Sequence, residues 1–262
     1  MFIDVHAHVY KYQYPAENGE MLFITLDDLI KKHDEIGVEK AILLPLVSPE
    51  VYVPQSVGEI IEIAKNSNGR FVPYCNIDPR VYTNSPDAPI GRLLEYYREL
   101  GCRGIGEVLP NMAWLDPRMQ NLLGHVEKAG FPLIFDMTGN LNRGYGIYDD
   151  PGMPQLEACL LKFPDLLFVG HGPAFWAEIS VLQNPEDRYG YPGYPVVKQG
   201  CGHTVSFLNE FADRLMFGTD ICTKNNVYPT AQLLCELKAS GEISAGTFEK
   251  IARGNAARLL GV

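Results

Sequence analysis

Seven short apolar runs, rich in β-branched residues, recur along the chain and constrain its fold more than any other feature. They occupy residues 2–5, 41–47, 71–77, 104–109, 132–135, 166–170 and 215–217. Successive runs begin 39, 30, 33, 28, 34 and 49 residues apart, and a strand with its crossover helix takes about 30 or more residues. Continuous apolar runs are typical of parallel strands covered by helices. The pattern predicts an α/β fold and favours a (β/α)8 TIM-like barrel over a doubly wound sheet.

Helix signals lie between these runs. Thr25-Leu-Asp-Asp28 is a capping-box pattern at a helix start, and Asp116-Pro117 places a cap residue before an N1 proline. Gly130 is expected to end that second helix. Near the C-terminus, apolar residues within 248–252 form another helical stripe, which Gly254 is expected to break.

The last interval is irregular. It exceeds an ordinary unit by about 19 residues and contains a stretch, 186–202, rich in Tyr, Gly and Pro, of which Gly and Pro disfavour strands. We therefore expect a distorted barrel or a short seventh strand at 196–198. Segments 139–154 and 186–202 are predicted to form loops over the strand ends.

Length and composition narrow the class of protein. The 262 residues suit one barrel domain spanning 1–262. The formal net charge of −10 disfavours binding to nucleic acid, and no apolar run approaches the roughly 20 residues of a membrane span. Six cysteines lie far apart without a C-x-x-C pair, which is typical of reduced thiols in the cytoplasm. We expect a cytoplasmic protein with a small-molecule substrate and no nucleic-acid or membrane partner. Assembly into a homo-oligomer is compatible with the sequence.

Two histidines end the first predicted strand, in Ile3-Asp-Val-His-Ala-His8. Residues two apart on a strand project to the same face, so His6 and His8 can point into one site. Imidazole is a common ligand of Zn²⁺. On its own the pattern also fits two unrelated histidines.

Other ligand types end other predicted strands: Glu107, Asp136, His171 and Asp220. In a (β/α) barrel these strand ends converge at one mouth, where active sites form. Taken singly, each of these residues also fits a helix cap or a hydrogen-bonded core group. Converging imidazoles and carboxylates would be costly to desolvate, and a cation offsets that cost. The convergence predicts a divalent metal site.

Together these motifs resemble the amidohydrolase superfamily, in particular its amidohydrolase-2 branch, which includes carboxymuconate-semialdehyde decarboxylase-like enzymes. The matching stretches, which run from residue 2 to 261, are Ile3-Asp-Val-His-Ala-His8, Gly104-Ile-Gly-Glu-Val108, Phe163-Pro-Asp-Leu-Leu-Phe-Val-Gly-His171-Gly, Phe217-Gly-Thr-Asp220 and Gly254-Asn-Ala-Ala-Arg-Leu-Leu-Gly261. The resemblance implies a (β/α) barrel with a divalent metal, usually zinc, at its C-terminal mouth. It also implies hydrolysis of C–N or C–O bonds, or non-oxidative decarboxylation.

The resemblance assigns roles residue by residue. His6 and His8 match the first-strand ligands, Asp220 the last-strand aspartate, and His171 the sixth-strand histidine, which acts on water or substrate. Two features depart from the family pattern. Asp136 stands where the fifth strand usually ends in a ligand histidine, and the seventh-strand segment is irregular.

The function predicted is a metal-dependent hydrolase of a small amide, ester or lactone, acting through a metal-bound hydroxide. His6 and His8 would hold the metal, most simply Zn²⁺, with Glu107 or Asp136 completing the ligands. Bound Zn²⁺ lowers the pKa of water towards about 7. Asp220, contacting metal or water, would take the proton of the water and pass it to the leaving group.

His171 would polarise the scissile carbonyl in this scheme. Asp4, on the same face of the strand as His6, is a candidate hydrogen-bond acceptor supporting the ligands. Arg80 is a candidate for binding a substrate carboxylate, and Trp176 for lining the pocket. His33 and His125 lie in helical patterns and are not among the candidates.

Three alternatives stay open from the sequence. One is a metal-dependent non-oxidative decarboxylase of a small carboxylic acid on the same scaffold. Another is a barrel that binds a ligand without turnover, which the absent fifth-strand histidine allows. A third is a barrel deoxyribonuclease, against which the net charge of −10 weighs.

Overall fold

The computed structural model describes residues 1–171, apart from 14, 16, 17, 52, 54 and 143, together with 178–179 and 202–262, apart from 227 and 228. These residues form a mixed α/β structure in two compact units, Met1–Ile42 with Phe175–Val262 and Leu43–Ala174. Within the described ranges no helix combines the length and apolar character needed to cross a membrane. The five cysteines described are free thiols, and three of them are buried.

All seven predicted strands are present within the following order of elements. The elements are β1 (Phe2–Ala7), α1 (Leu26–Ile36), β2 (Val38–Leu43), α2 (Val57–Lys65), β3 (Phe71–Pro73), α3 (Val81–Asn84), α4 (Gly91–Glu99), β4 (Ile105–Val108), α5 (Pro117–Ala129), β5 (Leu133–Thr138), β6 (Ile147–Tyr148), α6 (Pro154–Lys162), β7 (Phe168–His171), β8 (Glu178–Ile179), α7 (Gly202–Glu210), β9 (Met216–Phe217), α8 (Pro229–Ser240), α9 (Ala245–Glu249), a π-helical turn (Lys250–Gly254) and α10 (Asn255–Leu260).

The first unit is organised around β1, which is buried along its whole length. It is hydrogen-bonded to β2, and Ala7 forms a parallel bridge with Ile221, beyond β9. The Phe2 ring packs against the ring of Phe217 at 4.5 Å and that of Phe248 at 5.7 Å between centroids. The Ala7–Ile221 bridge places the end of β1 beside the residues that follow β9.

The second unit contains a parallel sheet centred on β5. Leu133 pairs with Ile105 of β4 and with Phe168 of β7, so all three strands run in the same direction. Phe135 and Phe168 pack edge to face with the fully buried Trp114. Because the strands are parallel, their carboxyl ends lie at one edge of this sheet.

The predicted helix signals are confirmed for α1 and α5. The Thr25 side chain accepts a hydrogen bond from the Asp28 N–H, and the Asp116 side chain accepts one from the Arg118 N–H, with Pro117 at the first position of the helix. Gly130 ends α5 with a φ of 61°, a left-handed conformation that glycine adopts without steric cost.

Three local features differ from the sequence expectation. The predicted loop at 139–154 contains β6, which pairs in parallel with Met137 and Thr138. In the last interval, Glu178 and Ile179 form β8, paired in parallel with β9. Gly254 does not break the C-terminal helix: its φ and ψ of −60° and −42° are helical, and it closes the π-helical turn instead. The predicted strand at 196–198 lies outside the described residues.

Gly104 is required by its closeness to Tyr74, and Gly104→Ala is expected to destabilise the fold. A methyl group there would lie 2.6 Å from Cζ of the fully buried Tyr74 ring. Such overpacking costs about 1–3 kcal/mol, measurable as a lower midpoint in urea unfolding. The control is Gly124→Ala, whose methyl group would lie 3.7 Å from Phe163. In this helix interior the control should be neutral or stabilising, and equal loss in both variants would contradict the assignment.

Candidate metal site

Three potential ligands lie together in the first unit. Nε2 of His6 and Nε2 of His8 are 3.1 Å apart. Asp220 Oδ1 lies 3.6 Å from the first and 3.4 Å from the second. The structure thus brings together the first-strand histidines and the last-strand aspartate, as the sequence predicts.

These distances match those of a cation's ligand shell. Ligands about 2.0–2.1 Å from a tetrahedral zinc ion lie about 3.3–3.4 Å from one another. The three separations, 3.1, 3.4 and 3.6 Å, bracket that value. Two imidazole nitrogens and one carboxylate oxygen are also ligand types that zinc and similar divalent ions accept. The donor set therefore fits a divalent cation.

The three side chains of this group differ in their exposure to solvent. The side chains of His6 and His8 are 0% and 2% exposed, whereas that of Asp220 is 30% exposed. Asp220 also has a φ of 48°, a left-handed conformation that costs a residue other than glycine about 1–3 kcal/mol. Its N–H donates to the His6 carbonyl oxygen at 2.9 Å. The fold thus holds a partly exposed carboxylate beside two buried imidazoles.

The second unit brings together Glu107, Asp136 and His171, all buried at the ends of parallel strands. Asp136 and His171 occupy the same register position on β5 and β7, so their side chains lie on one face. His171 Nε2 is 4.0 Å from Glu107 Oε1. The metal-binding roles of Glu107 and Asp136 and the catalytic role of His171 stay predictions.

Two contacts hold the ends of these strands. Asn76 Nδ2 donates to the carbonyl oxygens of Pro45 and Glu107, at 2.7 and 2.6 Å. The N–H of Met137 donates to Asp136 Oδ1 at 2.7 Å. Asn76 is buried and was not among the predicted residues. Its position just after β3 is the sequence signal that could have identified it.

Arg80 lies in the second unit and is engaged by two carboxylates. Its guanidinium donates from Nε and Nη2 to Asp78, at 2.7 and 2.6 Å. It also donates from Nη1 and Nη2 to Glu50, at 2.6 and 2.7 Å. The predicted binding of a substrate carboxylate by Arg80 stays a prediction. Trp176, the other predicted substrate residue, lies outside the described residues.

The Arg80–Glu50 pair gives a prediction about pH. The hydrogen bonds from Arg80 lower the pKa of Glu50 from 4.5 to about 2. A lowered pKa in the folded state adds stability above pH 4.5 that is lost as the pH falls towards 2. The pair is partly exposed, so the effect is below about 1 kcal/mol. The destabilisation caused by Glu50→Gln, measured by urea unfolding, should therefore shrink over this range.

The control for this series is Glu99→Gln, at an exposed glutamate in α4. It should leave the dependence of the free energy of unfolding on pH unchanged. A destabilisation by Glu50→Gln that stays constant from pH 6 to pH 2.5 would contradict the assigned pairing.

A buried hydrogen-bond network centred on Asp4 supports the group formed by His6, His8 and Asp220, and the sequence predicted only part of it. Asp4 was a candidate support for the ligands, and its partners are the backbone of His6, both the backbone and the hydroxyl of Thr219, and His33. His33 was set aside because it lies in a helical pattern. The signal that could have identified His33 is its place on the buried face of α1, one turn after Leu29.

Comparison with known proteins gives structural likeness only. No family model and no curated protein matches the chain. Solved structures do match. A TIM-barrel protein from Bordetella bronchiseptica has a TM-score of 0.62 and 20% identity over 90% of this chain and 83% of its own.

Two further matches carry functional names. An amidohydrolase II has a TM-score of 0.59 and 13% identity, with both chains covered completely. A 2,6-dihydroxybenzoate decarboxylase from Rhizobium has a TM-score of 0.59 and 16% identity over 99% of this chain and 98% of its own. At such identities the likeness shows the fold.

The fold of this chain is therefore the α/β fold of TIM-barrel proteins, as the recurring apolar runs predict. The fold that the resemblance to the amidohydrolase-2 branch implies is the fold that these solved structures share with this chain.

Proposed function

We propose that this protein is a metal-dependent hydrolase of a small amide, ester or lactone. The observation that carries the proposal is the group formed by His6, His8 and Asp220, whose three ligand atoms lie 3.1–3.6 Å apart. Zinc is the cation we propose, because the two imidazoles and one carboxylate match its preferred ligands. The reduced thiols support a cytoplasmic location.

When bound, such a cation would make a water molecule more acidic and would polarise a carbonyl group. His6 and His8 would hold it in fixed geometry, because both side chains are buried. Asp220 reaches solvent, so its carboxylate can accept the proton of an attacking water. As the C–N or C–O bond breaks, Asp220 would return that proton to the leaving nitrogen or oxygen.

The remaining proposed roles fall to His171 and Arg80. His171 would donate a hydrogen bond to the carbonyl oxygen of the substrate. Arg80 would bind a substrate carboxylate in place of one of its two present partners, Asp78 and Glu50. If it does, Arg80→Gln raises KM for carboxylate-bearing substrates and leaves KM for neutral substrates unchanged.

A second candidate activity is non-oxidative decarboxylation, favoured by the structural likeness to 2,6-dihydroxybenzoate decarboxylase. In that reaction a C–C bond breaks, CO₂ leaves and the remaining carbanion takes a proton. A proton donor near the cation would serve this step, whereas hydrolysis requires a proton acceptor.

The two reactions are separated in ¹⁸O-labelled water. The zinc-loaded protein is incubated with a panel of amides, esters, lactones and aromatic carboxylic acids, and products are analysed by mass spectrometry. A new carboxylic acid carrying ¹⁸O supports hydrolysis. Release of CO₂ with an unlabelled organic product supports decarboxylation. Zinc bound without turnover of any compound supports the alternative of a barrel that binds a ligand without turnover.

A further inference from the structure

Asp4 is a buried carboxylate whose oxygens are both fully engaged. Oδ1 accepts from the N–H groups of His6 and Thr219, each at 3.0 Å. Oδ2 accepts from the Thr219 hydroxyl at 2.6 Å and is 3.0 Å from His33 Nε2. An ionised carboxylate has about four lone-pair sites, so these four groups occupy all of them. Neighbouring protein groups therefore use the whole hydrogen-bonding capacity of the Asp4 carboxylate.

His33 serves as a donor in this network. An ionised carboxylate only accepts hydrogen bonds, so His33 carries its proton on Nε2. The side chains of both His33 and Asp4 are 0% exposed. A buried carboxylate is costly unless it is hydrogen-bonded, and a helical histidine supplies one of the required donors across 29 residues of sequence.

The network reaches the candidate ligands through the main chain. Thr219 is bonded to Asp4 twice and directly precedes Asp220, whose left-handed φ of 48° requires its neighbours to be held in place. The same Asp4 oxygen that binds the Thr219 N–H also binds the His6 N–H. One buried carboxylate therefore links the main chain at His6 to the main chain just before Asp220.

We propose that Asp4, His33 and Thr219 form a positioning device that sets the distance between His6 and Asp220 and so tunes cation affinity. The inference rests on the proposed metal site. None of the three residues is a catalytic residue, since each acts through the main chain of a ligand. Loss of such supporting partners typically weakens metal binding by about 10–100-fold.

Two pairs of variants test the device. Thr219→Val removes the hydroxyl and keeps the shape, whereas Thr219→Ser keeps the hydroxyl. His33→Leu removes the donor, whereas His33→Gln places an amide N–H near the former Nε2. The matched control is Thr247→Val, at a buried threonine in the same unit whose hydroxyl donates to Asn209 Oδ1 at 3.0 Å, remote in sequence from the ligands.

Zinc affinity is measured by competition with a chromophoric chelator, and folding of each variant by circular dichroism. Thr219→Val and His33→Leu should weaken zinc binding about 10–100-fold. Thr219→Ser, His33→Gln and Thr247→Val should stay within about threefold of the wild type, well inside that range.

Wild-type affinity in Thr219→Val and His33→Leu would overturn the inference. So would equal weakening in Thr247→Val, because loss of stability would then explain the result. If the wild-type protein itself binds no zinc, the proposed metal site fails and this inference with it. That outcome is distinct from a wild type that binds zinc with all variants equal, which overturns the positioning role alone.

Discussion

Zinc binding is expected to weaken by about 10²- to 10³-fold when His6 is replaced by alanine, and by a similar factor for His8→Ala. The estimate follows from the roughly 10–16 kcal/mol with which four ligands hold a structural zinc ion, or about 2.5–4 kcal/mol for each. Both imidazoles are buried with their Nε2 atoms 3.1 Å apart, and alanine offers no ligand atom in place of either. Zinc affinity is measured by chelator competition.

The control is His125→Ala, at a half-buried histidine of α5. This variant should bind zinc as tightly as the wild type. If His6→Ala and His8→Ala also keep wild-type affinity while remaining folded, the two imidazoles are not ligands, and the group around Asp220 requires another explanation.

Asp220→Asn is expected to lower kcat by about 10²- to 10⁴-fold at saturating zinc, the usual contribution of a general acid–base group. An amide of the same shape can still lie beside His6 and His8, but it cannot accept a proton from water. The loss should therefore appear in kcat, measured at saturating zinc on the substrate that the labelled-water panel identifies.

The matched control for this variant is Asp213→Asn. Asp213 is exposed in the same unit and pairs with Lys250 at 2.8 Å, so its loss should leave kcat unchanged. A general acid–base group usually contributes far more than threefold to kcat. A kcat for Asp220→Asn within threefold of the wild type would therefore show that Asp220 does not transfer the proton.

Much of the fold was predictable because its signals are local. The alternation of β1 sets His6 and His8 on one face by covalent geometry alone. Thr25 and Asp116 act as caps through hydrogen bonds that span three residues or fewer. The strands β5 and β7 could be recognised from their continuous apolar runs, which are typical of parallel strands. These features depend on neighbouring residues, which a sequence displays directly.

The remainder depends on contacts between distant residues. β6 and β8 contain two residues each and form only because a partner strand supplies their hydrogen bonds. Asp4 meets Thr219 across 215 residues, and nothing in the local sequence of either indicates the other. His33 was set aside because a histidine in a helical pattern is ordinarily part of the core, and its functional interest appears only once Asp4 lies beside it.

The central claim is that His6, His8 and Asp220 form a divalent-metal site, and the most direct test is the metal affinity of the purified wild-type protein. After treatment with a chelator and dialysis, zinc is titrated by calorimetry and bound metal is counted by elemental analysis. We expect binding of at least one zinc ion per chain, abolished in the His6→Ala, His8→Ala double variant. Folded wild-type protein that takes up no zinc, or a double variant that binds it equally well, would contradict the account.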